Sequence, residues 1–206
     1  MTTVNKNHWY DGKFYDRFVA PNQKKLFTKI IKMIEPDKSI VDVGCGTGFF
    51  SFSVVDKCKS VIGIDLSRRN INKANQNLNA KPTEKMSFIH TSLNDLVLTN
   101  HIHFDYAVTT YVIHEVNESE RVQMLMDMSK IADKIIIGDF LVPRPNNLAG
   151  KLTRVIEFVA GAEHYRNFRN FVANGGIPDL ANKAGLQIIL EHKNQNTGNH
   201  IAILSN

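Results

Sequence analysis

The chain has 206 residues, of which 43% are hydrophobic and 22% charged, with a formal net charge of +5. That length supports one domain with a substantial core, and the composition is that of an ordinary globular protein rather than a disordered or fibrous one. No run approaches the roughly 18 apolar residues of a membrane-spanning helix. The segment Met1–His8 has neither the apolar core nor the cleavage pattern of a secretory leader, so a cytoplasmic protein is expected. Cys45 and Cys58 are too few for a disulfide framework and form no C-x-x-C pair, which predicts two buried thiols. The basic residues are scattered (Lys24-Lys25, Arg68-Arg69, Arg166, Arg169), as on solvated helix faces, and make a weak case for nucleic acid.

Short β-branched runs alternate with amphipathic stretches, a pattern that predicts βαβ units and a parallel sheet. Residues 8–20 form an aromatic-rich entry with Trp9, Tyr10, Phe14, Tyr15 and Phe18. Pro21 can open a helix that carries Leu26, Phe27, Ile30, Ile31 and Ile34 at helical spacing. Strands follow at Ser39–Val43, Val61–Ile64, Met86–His90, Phe104–Thr110 and Lys134–Asp139. Helices are expected at Gly48–Lys57, at 67–78 with Ser67 as its cap, and after Ser119, which can cap a helix carrying Val122, Leu125, Met126 and Ile131. A loop at 142–147, a helical stretch at 148–160 and a helix from Ile177 to about Gly185 come next. Leu186–His192 and His200–Leu204 close the chain as a hairpin. The expected fold is one α/β domain over 1–206. Its seven-stranded, mostly parallel, doubly wound sheet ends in an antiparallel hairpin and has helices on both faces. Residues 1–35 form an N-terminal lid and helix, and 142–178 a helical substrate-side insertion.

The most informative segment is Val41-Asp42-Val43-Gly44-Cys45-Gly46-Thr47-Gly48, between a strand and a helix. Gly44 allows a tight turn, Gly46 lets a ligand touch backbone, and Gly48 lets the helix pack close to the strand. The spacing is G-x-G-x-G. The dinucleotide fingerprint G-x-G-x-x-G would place its third glycine at position 49, which is Phe49. A diphosphate is also a poor neighbour for Asp42, whereas an amino acid bearing an ammonium and a sulfonium is a good one.

This segment resembles motif I of the class I, Rossmann-like S-adenosylmethionine-dependent methyltransferases, nearest to the small-molecule and quinone-type group. The resemblance runs from about residue 36 to the end and is strongest over 39–67 and 104–139. It implies S-adenosyl-L-methionine as cofactor and S-adenosyl-L-homocysteine as product. It also implies a methyl acceptor that is a small molecule.

On that resemblance, Asp42, Gly44 and Gly46 bind the cofactor. Asp65, at the end of the second strand, accepts from the ribose hydroxyls, and Leu66 packs on the adenine. Ser92 and Leu93 stand where relatives read the adenine edge, with Asp95 as an alternative acid. The segment 104–116 resembles motif IV. Thr109 contacts the methionine part through backbone. His114 either accepts the acceptor's proton or ties two loops together, and Tyr111 stands beside it as a catalytic candidate. Tyr15 reaches or covers the cofactor, and Tyr10 and Tyr165 line the substrate pocket, unless the N-terminal aromatics only dock the first helix. Arg166 and Arg169, among Phe158, His164, Tyr165, Phe168 and Phe171, either face a planar or anionic substrate or are solvated. A metal is not expected: His101-x-His103 is the only close histidine pair and has no cysteine or carboxylate cluster beside it.

Three other functions compete, of which a nicotinamide oxidoreductase is disfavoured by Phe49 where a third glycine is expected. Nucleic-acid or protein methylation is disfavoured because Thr109-Thr110-Tyr111-Val112 replaces an N/D-P-P-Y motif and no Pro-Cys nucleophile is present. A non-catalytic cofactor-binding protein would carry the same cofactor residues. The sequence leaves the oligomeric state open.

Overall fold

The computed structural model describes residues 20–99, 102–147, 157–158 and 161–206. In chain order the elements are α1 (Ala20–Met33), β1 (Ser39–Val43), α2 (Phe49–Val54) with a 3-10 turn at Val55–Lys57, β2 (Ser60–Asp65) and α3 (Arg68–Ala80). Then come β3 (Met86–His90), α4 (Leu93–Thr99), β4 (Phe104–Thr110), α5 (Glu118–Ile131) and β5 (Ala132–Phe140). The last are α6 (Ala162–Ala173), α7 (Ile177–Lys183), β6 (Gln187–Asn194) and β7 (Asn199–Ser205).

The strands form one seven-stranded sheet in the order β3-β2-β1-β4-β5-β7-β6. The β1–β2, β1–β4, β2–β3 and β4–β5 pairs are parallel, and β7 runs antiparallel to both β5 and β6. The strand order reverses between β1 and β4, so the crevice of an open α/β sheet lies at their carboxyl ends. The central strands carry apolar runs buried on both faces, Ile40-Val41, Tyr106–Val108 and Ile135–Ile137, because helices cover both sides. On one face Ile40, Tyr106, Val108 and Ile136 pack with Leu26, Phe27 and Ile30 of α1, Phe50 and Val54 of α2, and Ile71 and Ala74 of α3. On the other, Val41, Val43, Ala107, Ile135 and Ile137 pack with Leu96 of α4, Leu125 and Met128 of α5, and Leu180 of α7. Asp105 ties the amino ends of β1 and β4 by accepting from Ser39 N at 2.8 Å, Ser39 Oγ at 2.7 Å and Lys38 Nζ at 2.9 Å.

Two local expectations change, and one helix appears where the sequence pattern placed no element. The cap of α5 is Asn117, whose side chain accepts from Ser119 N, so the helix begins before Ser119. Residues 93–99 are helical, with Ser92 Oγ accepting from Asp95 N at 3.0 Å. The helix after the glycine loop is α2 plus a 3-10 turn rather than one regular helix. Of the helical stretch expected at 148–160, only 157–158 fall within the described residues, and the aromatic entry 8–19 falls outside them.

Candidate active site

The glycine loop leaves β1 and is pinned to the end of β2, where Ile64 O accepts from Gly44 N at 2.8 Å and Cys45 N at 3.0 Å. Gly44 and Gly46 hold φ values of 76° and 57°, which L side chains rarely adopt. A Cβ on Gly44 would lie 2.5 Å from Val112 Cγ2, and one on Gly48 would lie 2.5 Å from the Phe88 ring. A Cβ on Gly46 would meet nothing within 4 Å. Gly44 and Gly48 therefore permit packing, while Gly46 faces open space in which a ligand can reach the backbone.

Asp65 sits across that opening. Its Oδ2 accepts from Gly46 N at 2.8 Å and its Oδ1 from Ser67 N at 2.7 Å. Ser67 supplies the cap of α3 by accepting from Asn70 N, so Asp65 is not needed for that role. Asp42 lies beneath the loop, fully buried. Its Oδ2 accepts from Ser51 Oγ at 2.6 Å, but among the described residues its Oδ1 has no hydrogen-bond partner. Burial, with a smaller contribution from the Asp65 charge, pushes the Asp42 carboxyl up to about 7. A buried acceptor without a donor is costly, and a ligand cation or N–H would satisfy it.

The other expected cofactor residues border the same edge. Leu66 is half-buried and its carbonyl accepts from His90 Nε2 at 3.0 Å. Ser92 caps α4, which commits one lone pair of its hydroxyl to Asp95 N, and Leu93 opens that helix half-buried. Thr109 is buried in β4 opposite Ile137, and its Oγ1 has no partner among the described residues.

One strand over, the exit of β4 builds a different environment. Tyr111 takes a φ of 55°, and its N–H donates to Gly138 O at 2.8 Å. Its hydroxyl donates to Asn199 Oδ1 on β7 at 2.8 Å, and burial pushes its pKa above the usual tyrosine range. His114 is 2% exposed, and its Nδ1 donates to the buried Asp139 at 2.7 Å. Its Nε2 lies 3.5 Å from Glu157 Oε2 and 3.9 Å from Glu115 Oε1. Burial opposes the imidazolium, but the Asp139 and Glu157 carboxylates outweigh it and hold the His114 pKa well above the usual histidine range. His164, on α6, hydrogen-bonds Glu157 through Nε2 and turns Nδ1 to Glu115 Oε1 at 3.8 Å. Burial raises the Glu115 carboxyl to about 7. For Glu157 burial also pushes upward, yet the His114 charge and the two histidine hydrogen bonds bring it down to about 2.

Arg121 locks this group in place. It is fully buried on α5, with Nε donating to Val116 O at 2.9 Å and Nη1 to Asn170 Oδ1 at 2.8 Å. Its Nη2 donates to Asn167 O at 2.6 Å and to His114 O at 3.3 Å. The guanidinium thus joins the β4 exit to α6.

The structure brings His114 together with Asp139, Glu115, Glu157, His164 and Arg121. Of these, only His114 had been assigned a role from sequence; an acid at the carboxyl end of β5 was the available signal for Asp139. Arg166 does not join the group. It lies on the outward face of α6, where Ala162, Tyr165, Arg166, Arg169, Asn170 and Ala173 line a shallow depression of about 340 Å³. Tyr165 packs there on Phe158 and Phe168, with centroid distances of 5.4 and 6.5 Å. Tyr10 and Tyr15 lie outside the described residues.

A nucleotide-type glycine loop with an acid at the next strand end, on a sheet of order 3-2-1-4-5-7-6 with β7 reversed, defines the class I methyltransferase architecture. Residues 40–134 match the family model described as a methyltransferase domain. The chain shares the fold of the class I, Rossmann-like S-adenosylmethionine-dependent methyltransferases, and its residues 40–134 are similar to their methyltransferase domain. A Saccharomyces cerevisiae protein named "Probable S-adenosylmethionine-dependent methyltransferase CRG1" is 31% identical over 116 residues, covering 55% of this chain and 39% of that protein. The chain spans less than half the length of the curated relatives it matches. Magnesium protoporphyrin IX methyltransferase from Synechocystis, solved with bound S-adenosylhomocysteine, superposes with a TM-score of 0.64 at 17% identity, over 96% of this chain and 90% of that one. The N-methyltransferase NodS from Bradyrhizobium japonicum superposes with a TM-score of 0.63 at 14% identity, over 91% and 98% of the two chains. Among the described residues no helix is long and apolar enough to cross a membrane.

Proposed function

We propose that the chain binds S-adenosylmethionine over the glycine loop and transfers its methyl group to an O, N or C nucleophile of a small molecule. The observation that carries this reading is the opening over Gly46, with the Asp65 carboxylate across it and the partnerless Oδ1 of Asp42 beneath. The cofactor supplies an activated methyl on a sulfonium, so the protein's task is alignment and exclusion of water. Asp65 would accept from the ribose hydroxyls, Gly46 would offer backbone, and Asp42 would face the cationic amino-acid tail. Leu66, Ser92 and Leu93 would border the adenine, and Thr109 the methionine chain.

The acceptor end would lie at the exits of β4 and β5. Asp139 fixes the ring of His114 through Nδ1 and leaves Nε2 turned toward Glu157 and Glu115. An imidazole oriented in this way can hold or receive the proton of a hydroxyl or amine. The Tyr111 hydroxyl is already donated to Asn199, which supports a positioning role for it. Tyr165 and Arg166 would act only at the outer rim of the entrance. The small-molecule acceptors named for the magnesium protoporphyrin IX enzyme above are in keeping with this reading.

The test is a methyl-transfer screen with labelled S-adenosylmethionine against phenols, quinols, amines, carboxylic acids and RNA. Turnover on a small molecule that is lost in Asp65→Ala supports the proposal. Methylation of RNA alone, with binding that falls steeply as salt is raised, would replace it with the nucleic-acid reading. Cofactor binding without turnover on any acceptor class would favour the non-catalytic one.

A further inference from the structure

We propose that His114, Glu115 and His164 form a binding site for a divalent first-row transition metal ion. One ligand atom from each of the three lies within 4.8 Å of the others. Glu115 Oε1 stands 3.9 Å from His114 Nε2 and 3.8 Å from His164 Nδ1. These separations are too long for hydrogen bonds. Metal–nitrogen and metal–oxygen bonds of about 2.0–2.2 Å place two ligands roughly 3.3–4.2 Å apart, so both Glu115 separations suit an ion between the groups, and the two rings, within 4.8 Å of each other, close on it by a small shift.

The surroundings match what ligating histidines need. A metal-bound imidazole almost always donates its second N–H to a carboxylate or carbonyl, which fixes its tautomer and direction. Here both rings have that partner: Asp139 on His114 Nδ1 and Glu157 on His164 Nε2. Asp139 is itself held, accepting from Phe140 N at 2.6 Å and His114 N at 3.3 Å. The ring of His114 is walled by Phe140, Phe168 and Phe171, with centroids at 4.6, 6.2 and 6.5 Å. That wall shields the His114 side of the site. Two imidazoles and one carboxylate favour zinc, iron, manganese or cobalt over magnesium or calcium, which prefer all-oxygen sites. Three protein ligands also leave a coordination position free. The ion would displace the proton that His114 Nε2 otherwise holds toward Glu157, so if the proposed function holds, the metal-loaded chain meets the acceptor through that free position rather than through the His114 imidazole.

The test uses the full chain, stripped of metal and without cofactor, so its outcome is independent of methyl transfer. Titration with Co2+, followed by visible absorption, and with Zn2+, followed by calorimetry, should saturate at one ion per chain. Glu115→Gln and His164→Ala should each weaken binding by about a hundredfold and alter the cobalt spectrum. Glu157→Gln, which acts through His164, should weaken it by about 10–100-fold. His103→Ala, in an exposed pair with Asp133, should bind like the parent. Glu115 is partly exposed, so Glu115→Gln is the variant most certain to fold, and circular dichroism checks each one. Absence of binding overturns the proposal, as does an ion whose affinity and spectrum are the same in Glu115→Gln and His164→Ala as in the parent.

Discussion

The carboxyl edge of the sheet has two halves that solve opposite problems. At β1 and β2, among the described residues, Asp42 Oδ1 is buried without a donor, and a Cβ on Gly46 would meet nothing within 4 Å. Past the exits of β4 and β5 polar side chains pair with one another, Asp139, His114, Glu157 and His164 in series and Arg121 with four acceptors. On the proposed function, the first half is completed by a ligand. The second is assembled by tertiary folding from segments far apart in the chain. Substitutions in the first should therefore act on cofactor binding, and those in the second on stability and on whatever the His114 group holds.

Arg121→Ala should break the second half most severely. It strands buried carbonyls of residues 114, 116 and 167 and leaves a cavity against Phe171, so a loss of about 3–5 kcal/mol is expected by denaturant unfolding. A loss below about 1 kcal/mol would show that α6 docks by other means.

Asp42 sharpens the first half through pH. Its folded pKa of about 7 lies above the ordinary 3.8, so the folded chain keeps a proton that the unfolded chain releases. This group's contribution to stability is highest below pH 4, falls as pH rises from about 4 to 7, and is level above that. The slope is at most about 1.4 kcal/mol per pH unit. Asp42→Asn should remove it, so the stability of the variant relative to the parent should grow by a few kcal/mol across that window. A difference that does not change with pH would contradict the account of Asp42.

Two glycines in one loop separate packing from binding. Gly44→Ala meets both a positive φ and the Val112 side chain and should cost about 2–4 kcal/mol. Gly46→Ala has room, so it should cost only about 1 kcal/mol while weakening S-adenosylhomocysteine at least tenfold. Equal effects on both measurements would mean that the opening over Gly46 is not the binding face. The smallest effect is expected for Tyr111→Phe. Loss of the bond to Asn199 should cost about 1 kcal/mol, and kcat should stay within a few-fold. A collapse of kcat with KM unchanged would make the hydroxyl catalytic.

The same contrast explains what could be read from the sequence. The glycine loop is contiguous, and the strand before it and Asp65 after it follow from local pattern, so β1, β2 and the loop between β1 and α2 were legible. Strands β3 and β4 were legible to the residue because apolar runs bounded by polar turns leave little freedom. Helix α4 was not, since Leu96 is its only buried residue, although Ser92 and Asp95 carry the spacing of a capping box. The start of α5 was misplaced because Asn117 and Ser119 are both good caps. The His114 group was largely hidden. Glu115 is adjacent to His114, but Asp139, Glu157 and His164 lie 25, 43 and 50 positions further on, and only the β4–β5 pairing and the docking of α6 bring them together. Sequence rules for metal sites read ligands a few positions apart, which is why His101 and His103 drew attention and His114 and His164 did not.

The most direct measurement is calorimetric titration of the parent chain and Asp65→Ala with S-adenosylmethionine, S-adenosylhomocysteine and NADH. The account predicts that both adenosyl ligands bind the parent, that Asp65→Ala weakens them at least tenfold, and that NADH does not bind. Binding of NADH alone, or adenosyl binding unchanged in Asp65→Ala, would contradict it.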